Sequence, residues 1–332
     1  MKRREILNFI GNKQKFKTLK RLILNAKNII ITGHVNSDGD NIASQLALAR
    51  YLESIKKNFE ILWSDKVPES CYFLSGIQKI KQIEKEKIDI DKFDTVVVVD
   101  SGDIERTGNL APLIKDKFII NIDHHKGNTN FGNFNLVCEK ACSIGEILYY
   151  FFKINRIPID YDIAYYLYIS IATDTGFFKY DCMHKEVHLI AAELIEKGVN
   201  PSEVNINITQ NKSLEYFRYL TLTISRARVV ENDRICYSYL NIDDFNGFDD
   251  LETDGLIEYL GILKPVSVYF LVKEKQKNTF TVSLRSKFNV DVSKIASFYG
   301  GGGHMRAAGF KVENVRLEDI IKDLIEKIKP YL

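Results

Sequence analysis

At 332 residues and 45% hydrophobic composition, the chain is long enough for two cores, by the usual prior of roughly 100 to 200 residues per domain. Its 46 basic and 44 acidic side chains leave a formal charge of +2, which argues against a general cationic coat for long duplex nucleic acid. No uncharged apolar stretch approaches the roughly 18 residues of a membrane helix, and no apolar run follows Lys2, Arg3 and Arg4 as in a signal peptide, so a soluble cytoplasmic protein is expected.

The first predicted element is a helix over 15–26, with Phe16, Leu19, Leu22, Ile23 and Ala26 on one stripe. The first 21 residues hold eight Lys or Arg against one Glu, which reads as the solvated face of an amphipathic opening helix. Ile29-Ile30-Ile31 predicts a strand. Right behind it, Gly33-His34-Val35-Asn36-Ser37-Asp38-Gly39-Asp40 crowds an imidazole and two carboxylates together. Like charges two residues apart repel, and a divalent cation is the usual remedy; Gly39 admits a tight backbone that turns both carboxylates to one point. Each residue also has a plainer reading. Asp40 can cap a helix starting at Asn41, His34 can be a hydrogen-bonded loop histidine, and Asp38-Gly39 can be a turn.

A helix over 41–56 and a strand at Phe59 to Trp63 follow. The β-branched run from Phe93 to Val99 predicts a strand buried on both faces and ends at Asp100; Phe118 to Ile122 predicts another, ending at Asp123-His124-His125. In parallel sheets, sites form beyond the carboxyl ends of the strands, so these endings fall on one rim. Helices are expected near 141–153 and 160–172. The second is a tyrosine-rich core helix that finishes at Thr173-Asp174-Thr175-Gly176, where Asp174 reads either as a helix-end turn or as a further ligand for the rim. After a helix near 185–197 the sequence turns polar and Asn-rich, which places a linker at 199–212 between domains 1–198 and 213–332.

The second domain is expected to hold a helix at 213–226, strands near 235–240, 266–273 and 279–285, and helices near 291–298 and 317–328. Gly300-Gly301-Gly302-Gly303-His304 costs entropy to order, which marks a close approach by a ligand or another backbone, and its amides could hold a phosphate; the plain alternative is a flexible loop. Arg285 is either a solvated face or a phosphate clamp. The five cysteines, 71, 138, 142, 182 and 236, lack the spacing of a zinc ribbon and read as free thiols of a reducing cytosol, with Cys138 and Cys142 in buried apolar roles.

Taken together, these motifs resemble the DHH phosphoesterase superfamily, and within it the stand-alone bacterial nanoRNase type that joins a DHH domain to a DHH-associated domain. The matching stretches are Gly33-His34 with Asp38-Gly39-Asp40; Val99-Asp100 with Arg106-Thr107-Gly108; Asp123-His124-His125 with Asn128; Thr173-Asp174-Thr175-Gly176; and Gly301-Gly302-Gly303-His304 with Ala307-Ala308-Gly309-Phe310. The chain departs from the family at Ser37, where Pro is usual, and at Ala43-Ser44, where Gly-Ser is usual. The inorganic pyrophosphatase branch, which tends to carry Asp-Thr-Asp at the Asp38-Gly39-Asp40 position and has a different second domain, fits poorly.

The resemblance implies an α/β fold, with a parallel-sheet DHH domain and a smaller α/β DHH-associated domain across a cleft. It implies two divalent metal ions, with manganese the expected pair: His34 and Asp38 on one, Asp40, His124 and Asp174 on the other, and Asp100 bridging. Asp123 would fix the His124 ring, and His125 would face the substrate phosphate or leaving oxygen. Arg106, Arg285, His304 and the amides of Gly301, Gly302 and Gly303 would bind phosphate or sugar. The implied substrates are short RNA, pApA, cyclic di-AMP or phosphoadenosine phosphate, with the second domain as a length-measuring lid, no membrane partner, and a homodimer left open. A metal-dependent nucleotide sensor without turnover is the other class; retention of every acidic and imidazole position argues against it.

Overall fold

The computed structural model describes residues 13–68, 71–86, 88–245, 253 and 255–332; the basic amino terminus, 1–12, lies outside the described residues. The chain divides into two compact units, with the break between Asn211 and Lys212.

In the first unit the elements run α1 (Lys13–Asn25), β1 (Asn28–Thr32), α2 (Gly39–Ser54), β2 (Asn58–Trp63), β3 (Ile80–Gln82), β4 (Thr95–Val99), α3 (Ala111–Ile114), β5 (Phe118–Asp123), β6 (Phe134–Val137), α4 (Ile144–Ile154), α5 (Tyr161–Asp174), α6 (Lys185–Glu196) and α7 (Pro201–Thr209). The strands form one sheet in the order β3-β2-β1-β4-β5-β6, and every neighbouring pair is parallel. Alternation along the strands supplies both faces. Ile29, Ile31, Val97 and Val99 join the large core with Phe16, Leu46, Phe151 and Leu167 from the helices, whereas Ile30, Val96 and Val98 pack on the other face with Leu110 and Ile114. The chain runs outward from β1 in both directions, so the strand order reverses between β1 and β4. Such a reversal is where sites form beyond the carboxyl ends of parallel strands.

The stretch expected as a linker is instead helical over Pro201–Thr209. Asn200 caps it, its side chain accepting the N–H groups of Ser202 and Glu203; Pro201 suits the first turn, and Val204 is buried. Asn205 and Asn207, part of the Asn-rich composition that suggested a linker, are half-buried on this helix.

The second unit contains α8 (Leu214–Ser225), β7 (Arg228–Val230), β8 (Ile235–Leu240), β9 (Val268–Gln276), β10 (Thr279–Ser286), α9 (Val292–Ser297), β11 (Gly302–His304), β12 (Ala307–Glu313) and α10 (Leu317–Ile328). Its sheet runs β11-β12-β10-β9-β8-β7, parallel only between β8 and β9. Val268, Phe270, Val282 and Leu284 face Ile295, Leu324 and Ile328, while Leu271 and Cys236 face Tyr219 and Leu220 of α8.

Candidate metal centre

The loop after β1 is shaped by its own polar atoms. Ser37 Oγ donates to the His34 carbonyl at 2.7 Å, and the Asn36 N–H donates to Asp65 Oδ2. The N-cap of α2 is Asp38, not Asp40: Asp38 Oδ1 accepts the Asn41 N–H at 3.0 Å. That places Asp40 in the first helical turn, 1% exposed, where its carboxylate accepts the Ile144 N–H at 2.9 Å and the Ser170 hydroxyl.

Gly39 is needed for space rather than for backbone freedom. A Cβ there would lie 2.4 Å from Thr173 Cγ2 on α5. Gly39→Ala is accordingly expected to destabilise the protein by about 1–3 kcal/mol through overpacking, read as a lower melting temperature without added metal.

Asp100 follows β4 with φ +55°, a left-handed conformation that non-glycine residues adopt at some cost, and its N–H donates to Ile122 O at 3.0 Å. This turn aims its two oxygens apart. Oδ2 lies 3.3 Å from His34 Nε2, and Oδ1 lies 3.4 Å from His124 Nε2. His124 Nε2 is also 3.4 Å from Asp174 Oδ2 and 4.0 Å from Asp40 Oδ2. Three overlapping donor groups result, His34 with Asp38 and Asp100, Asp40 with His124 and Asp174, and Asp100 with His124 and His125; within each, the donor atoms lie within 4.8 Å of one another.

The rings are held from behind. His34 Nδ1 is 2.8 Å from the Val35 carbonyl and His124 Nδ1 is 3.2 Å from the Ala141 carbonyl, so each donates there and presents Nε2 to the carboxylates. A neutral imidazole in that tautomer has only a lone pair to show a carboxylate oxygen. The pairing is favourable if the rings take up a second proton or if a cation lies between. The charges point the same way. Burial, with the Asp100 and Asp174 charges next, pushes Asp40 well above the ordinary carboxylate value, and burial pushes Asp174 up to about 8. Burial pulls His34 and His124 down, but hydrogen bonding to Asp100 and the charges of Asp100 and, for His124, Asp174 more than offset it and leave both raised. Asp100 is depressed despite its burial, because both imidazoles face it. Hard oxygen donors with two imidazoles suit a divalent ion such as manganese, magnesium or zinc, so these residues fit such a metal.

Asp123 is fully buried and holds His125, not His124 as expected. His125 Nδ1 donates to Asp123 Oδ1 at 2.7 Å, and Asn128 Nδ2 donates to Oδ2 at 2.6 Å. β5 ends at Asp123, and in the loop beyond it the His124 and His125 rings lie 4.9 Å apart, with His125 the one that reaches back to Asp123. Despite burial, these donors leave the Asp123 carboxyl below its ordinary value. Sequence reasoning missed Ser170 and the backbone of Ala141 and Ile144, all of which orient the centre. A serine inside an apolar helix was the one available signal.

Arg106 is exposed in the turn after Asp100, and its carbonyl accepts the Val35 N–H at 2.7 Å, tying that turn to the His34 loop. The remaining candidates lie in the second unit. Arg285 and His304 both pair through their backbones with Ala307, on opposite sides of it, and Arg285 Nε donates to Glu258 Oε1 at 2.9 Å. Two of the glycines have a structural reason: a Cβ on Gly301 would meet Gly309 O at 2.3 Å and one on Gly303 would meet Ala307 O at 2.4 Å, whereas Gly302 has open space.

Comparison with known proteins bears on this arrangement. Residues 28–171 match the DHH family amino-terminal domain and residues 232–331 match the DHHA1 domain. The chain is 29% identical, over 92% of its length and 90% of the relative's, to the bifunctional oligoribonuclease and PAP phosphatase NrnA of Thermus thermophilus. It is 28% identical, over 95% of its length and 99% of the relative's, to a probable enzyme of the same name from Streptococcus mutans. An exopolyphosphatase-related protein from Bacteroides fragilis shares its fold, with a TM-score of 0.88 at 22% identity, covering 96% of this chain and 97% of that one. The chain therefore belongs to the DHH family of phosphoesterases, with a DHH domain followed by a DHHA1 domain.

Proposed function

We propose that the chain is a phosphodiesterase that hydrolyses short oligonucleotides and dinucleotides to mononucleotides, using two divalent ions, with manganese the expected pair. The observation that carries this reading is the shared carboxylate, Asp100, whose two oxygens face His34 and His124 at 3.3 and 3.4 Å. Bound there, such ions would supply a water-derived nucleophile at neutral pH and neutralise charge growing on a phosphoryl group. His34 and Asp38 would hold one, Asp40, His124 and Asp174 the other, and Asp100 both.

His125, oriented by Asp123 through Nδ1, is assigned to the substrate phosphate or the leaving oxygen, to which it would pass a proton. Arg106, Arg285, His304 and the amides of Gly301, Gly302 and Gly303 are assigned to phosphate or sugar. Arg285 is offered by a charge-assisted pair with Glu258 that an anionic substrate would replace. The double name of the two curated relatives supports short RNA as substrate and PAP as a second one. No helix among the described residues is long and apolar enough to cross a membrane.

A side-by-side rate comparison of dinucleotide, short RNA, long RNA, cyclic di-AMP and PAP in Mn2+ tests the proposal. The dinucleotide and short RNA should be cleaved at least about tenfold faster than long RNA. Arg285→Ala should raise KM about tenfold or more and leave metal content alone. Nucleotide bound without turnover of any of the five would sink the hydrolase and leave a sensor.

A further inference from the structure

Apart from the donors around Asp100, Cys142, Glu146 and His184 bring a sulfur, a carboxylate oxygen and an imidazole nitrogen within 4.8 Å of one another. They come from the residue before the cap of α4, from the first turn of α4 and from the cap position of α6. Glu146 is 0% exposed, and its two oxygens are treated unequally. Oε2 accepts the Cys142 N–H at 2.8 Å, whereas Oε1, 3.2 Å from His184 Nε2, receives no hydrogen bond. A fully buried carboxylate oxygen that faces only an imidazole nitrogen is balanced either by a second proton on that ring or by a cation between the two. His184 Nδ1 lies 3.0 Å from Glu186 Oε2, and donation there turns the Nε2 lone pair toward Glu146, as a carboxylate behind a metal-binding histidine does.

We propose that Cys142 Sγ, Glu146 Oε1 and His184 Nε2 hold a third cation, a single zinc-class ion, with water completing a tetrahedral set. The thiolate sets its chemistry apart from the oxygen-rich Asp100 donors, since sulfur selects zinc over manganese or magnesium. On binding, Cys142 gives up its thiol hydrogen bond to the Cys182 carbonyl, and its proton leaves to solvent. The ion has a structural consequence for the neighbouring centre. The same short segment supplies the Ala141 carbonyl to His124 Nδ1 and the Ile144 N–H to Asp40, so a cation pinning Cys142 and Glu146 braces the backbone that orients two ligands.

Cobalt substitution separates the sites, because only a thiolate donor gives a near-ultraviolet sulfur-to-cobalt charge-transfer band. The full chain, reduced with a phosphine and titrated with Co2+, should develop that band to a plateau that corresponds to one thiolate-bound cobalt per chain, and Asp100→Asn should keep it. Cys142→Ser should abolish it, His184→Thr should weaken the cobalt affinity about tenfold or more, and Cys182→Ser should leave it in place. No band in the wild-type protein, or a band that survives Cys142→Ser or follows Cys182 instead, overturns the site. Should Cys142→Ser fail to fold, the wild-type spectrum and the His184→Thr titration decide: an unchanged affinity in His184→Thr also overturns it.

Discussion

Asp100→Asn is expected to lower kcat/KM by at least about a hundredfold to a thousandfold and to strip the two divalent ions held around Asp100 while the fold persists. The substitution is chosen for the backbone as much as for the charge. Asp100 sits at φ +55°, which asparagine tolerates better than alanine, so a loss in Asp100→Asn reports on the carboxylate rather than on strain. An amide has one acceptor oxygen where the carboxylate has two, and it carries no negative charge, so it cannot serve both His34 and His124 sides. The buried imidazoles also lose the partner that raises them. Metal content after dialysis, phosphodiester turnover and a thermal melt are the three readouts. A variant that keeps both ions and its rate would remove Asp100 from its central place.

Much of the first unit was legible because its signals are local and strong. Ile29-Ile30-Ile31 and the valine run before Asp100 can hardly be anything but buried parallel strands, and polar residues at their ends must then emerge on one rim. What sequence could not supply was the direction of each side chain. Asp38 and Asp40 are two apart, and either could have capped α2; packing against Ser170 and the Ile144 amide draws Asp40 inward and leaves the cap to Asp38. Asp123 precedes His124, yet the loop that begins after Asp123 brings His125 back to it. The short strands β11 and β12 went unread because glycine and alanine have little strand preference of their own; pairing with β10 forms them. Gly301 and Gly303, singled out for a ligand, are also required by the approach of β12, so their presence argues less for phosphate binding than the open space over Gly302 does.

Removing metal should destabilise the protein more at about pH 8 than at about pH 6, seen as a larger gain in melting temperature on adding Mn2+ at the higher pH. The direction follows from the protons that the metal-free site holds. Asp174 is pushed up to about 8 from an ordinary 3.8, so the folded chain binds a proton that the unfolded chain releases; that stability is full below the unfolded value and is lost as pH rises through about 8. His34 and His124 are raised above 6.5, so their contribution too is full below that value and declines as pH rises. Asp100 runs the other way, since its carboxyl is depressed; its contribution is present above the ordinary carboxylate value and is lost only in acid, outside this window. Between the two test conditions the metal-free protein therefore loses proton-linked stability. Over the same interval a divalent ion, which must displace those protons to bind, holds on more tightly. Equal gains at both pH values, or a larger gain at the lower one, would mean that the carboxylates and imidazoles do not share their charge with a metal.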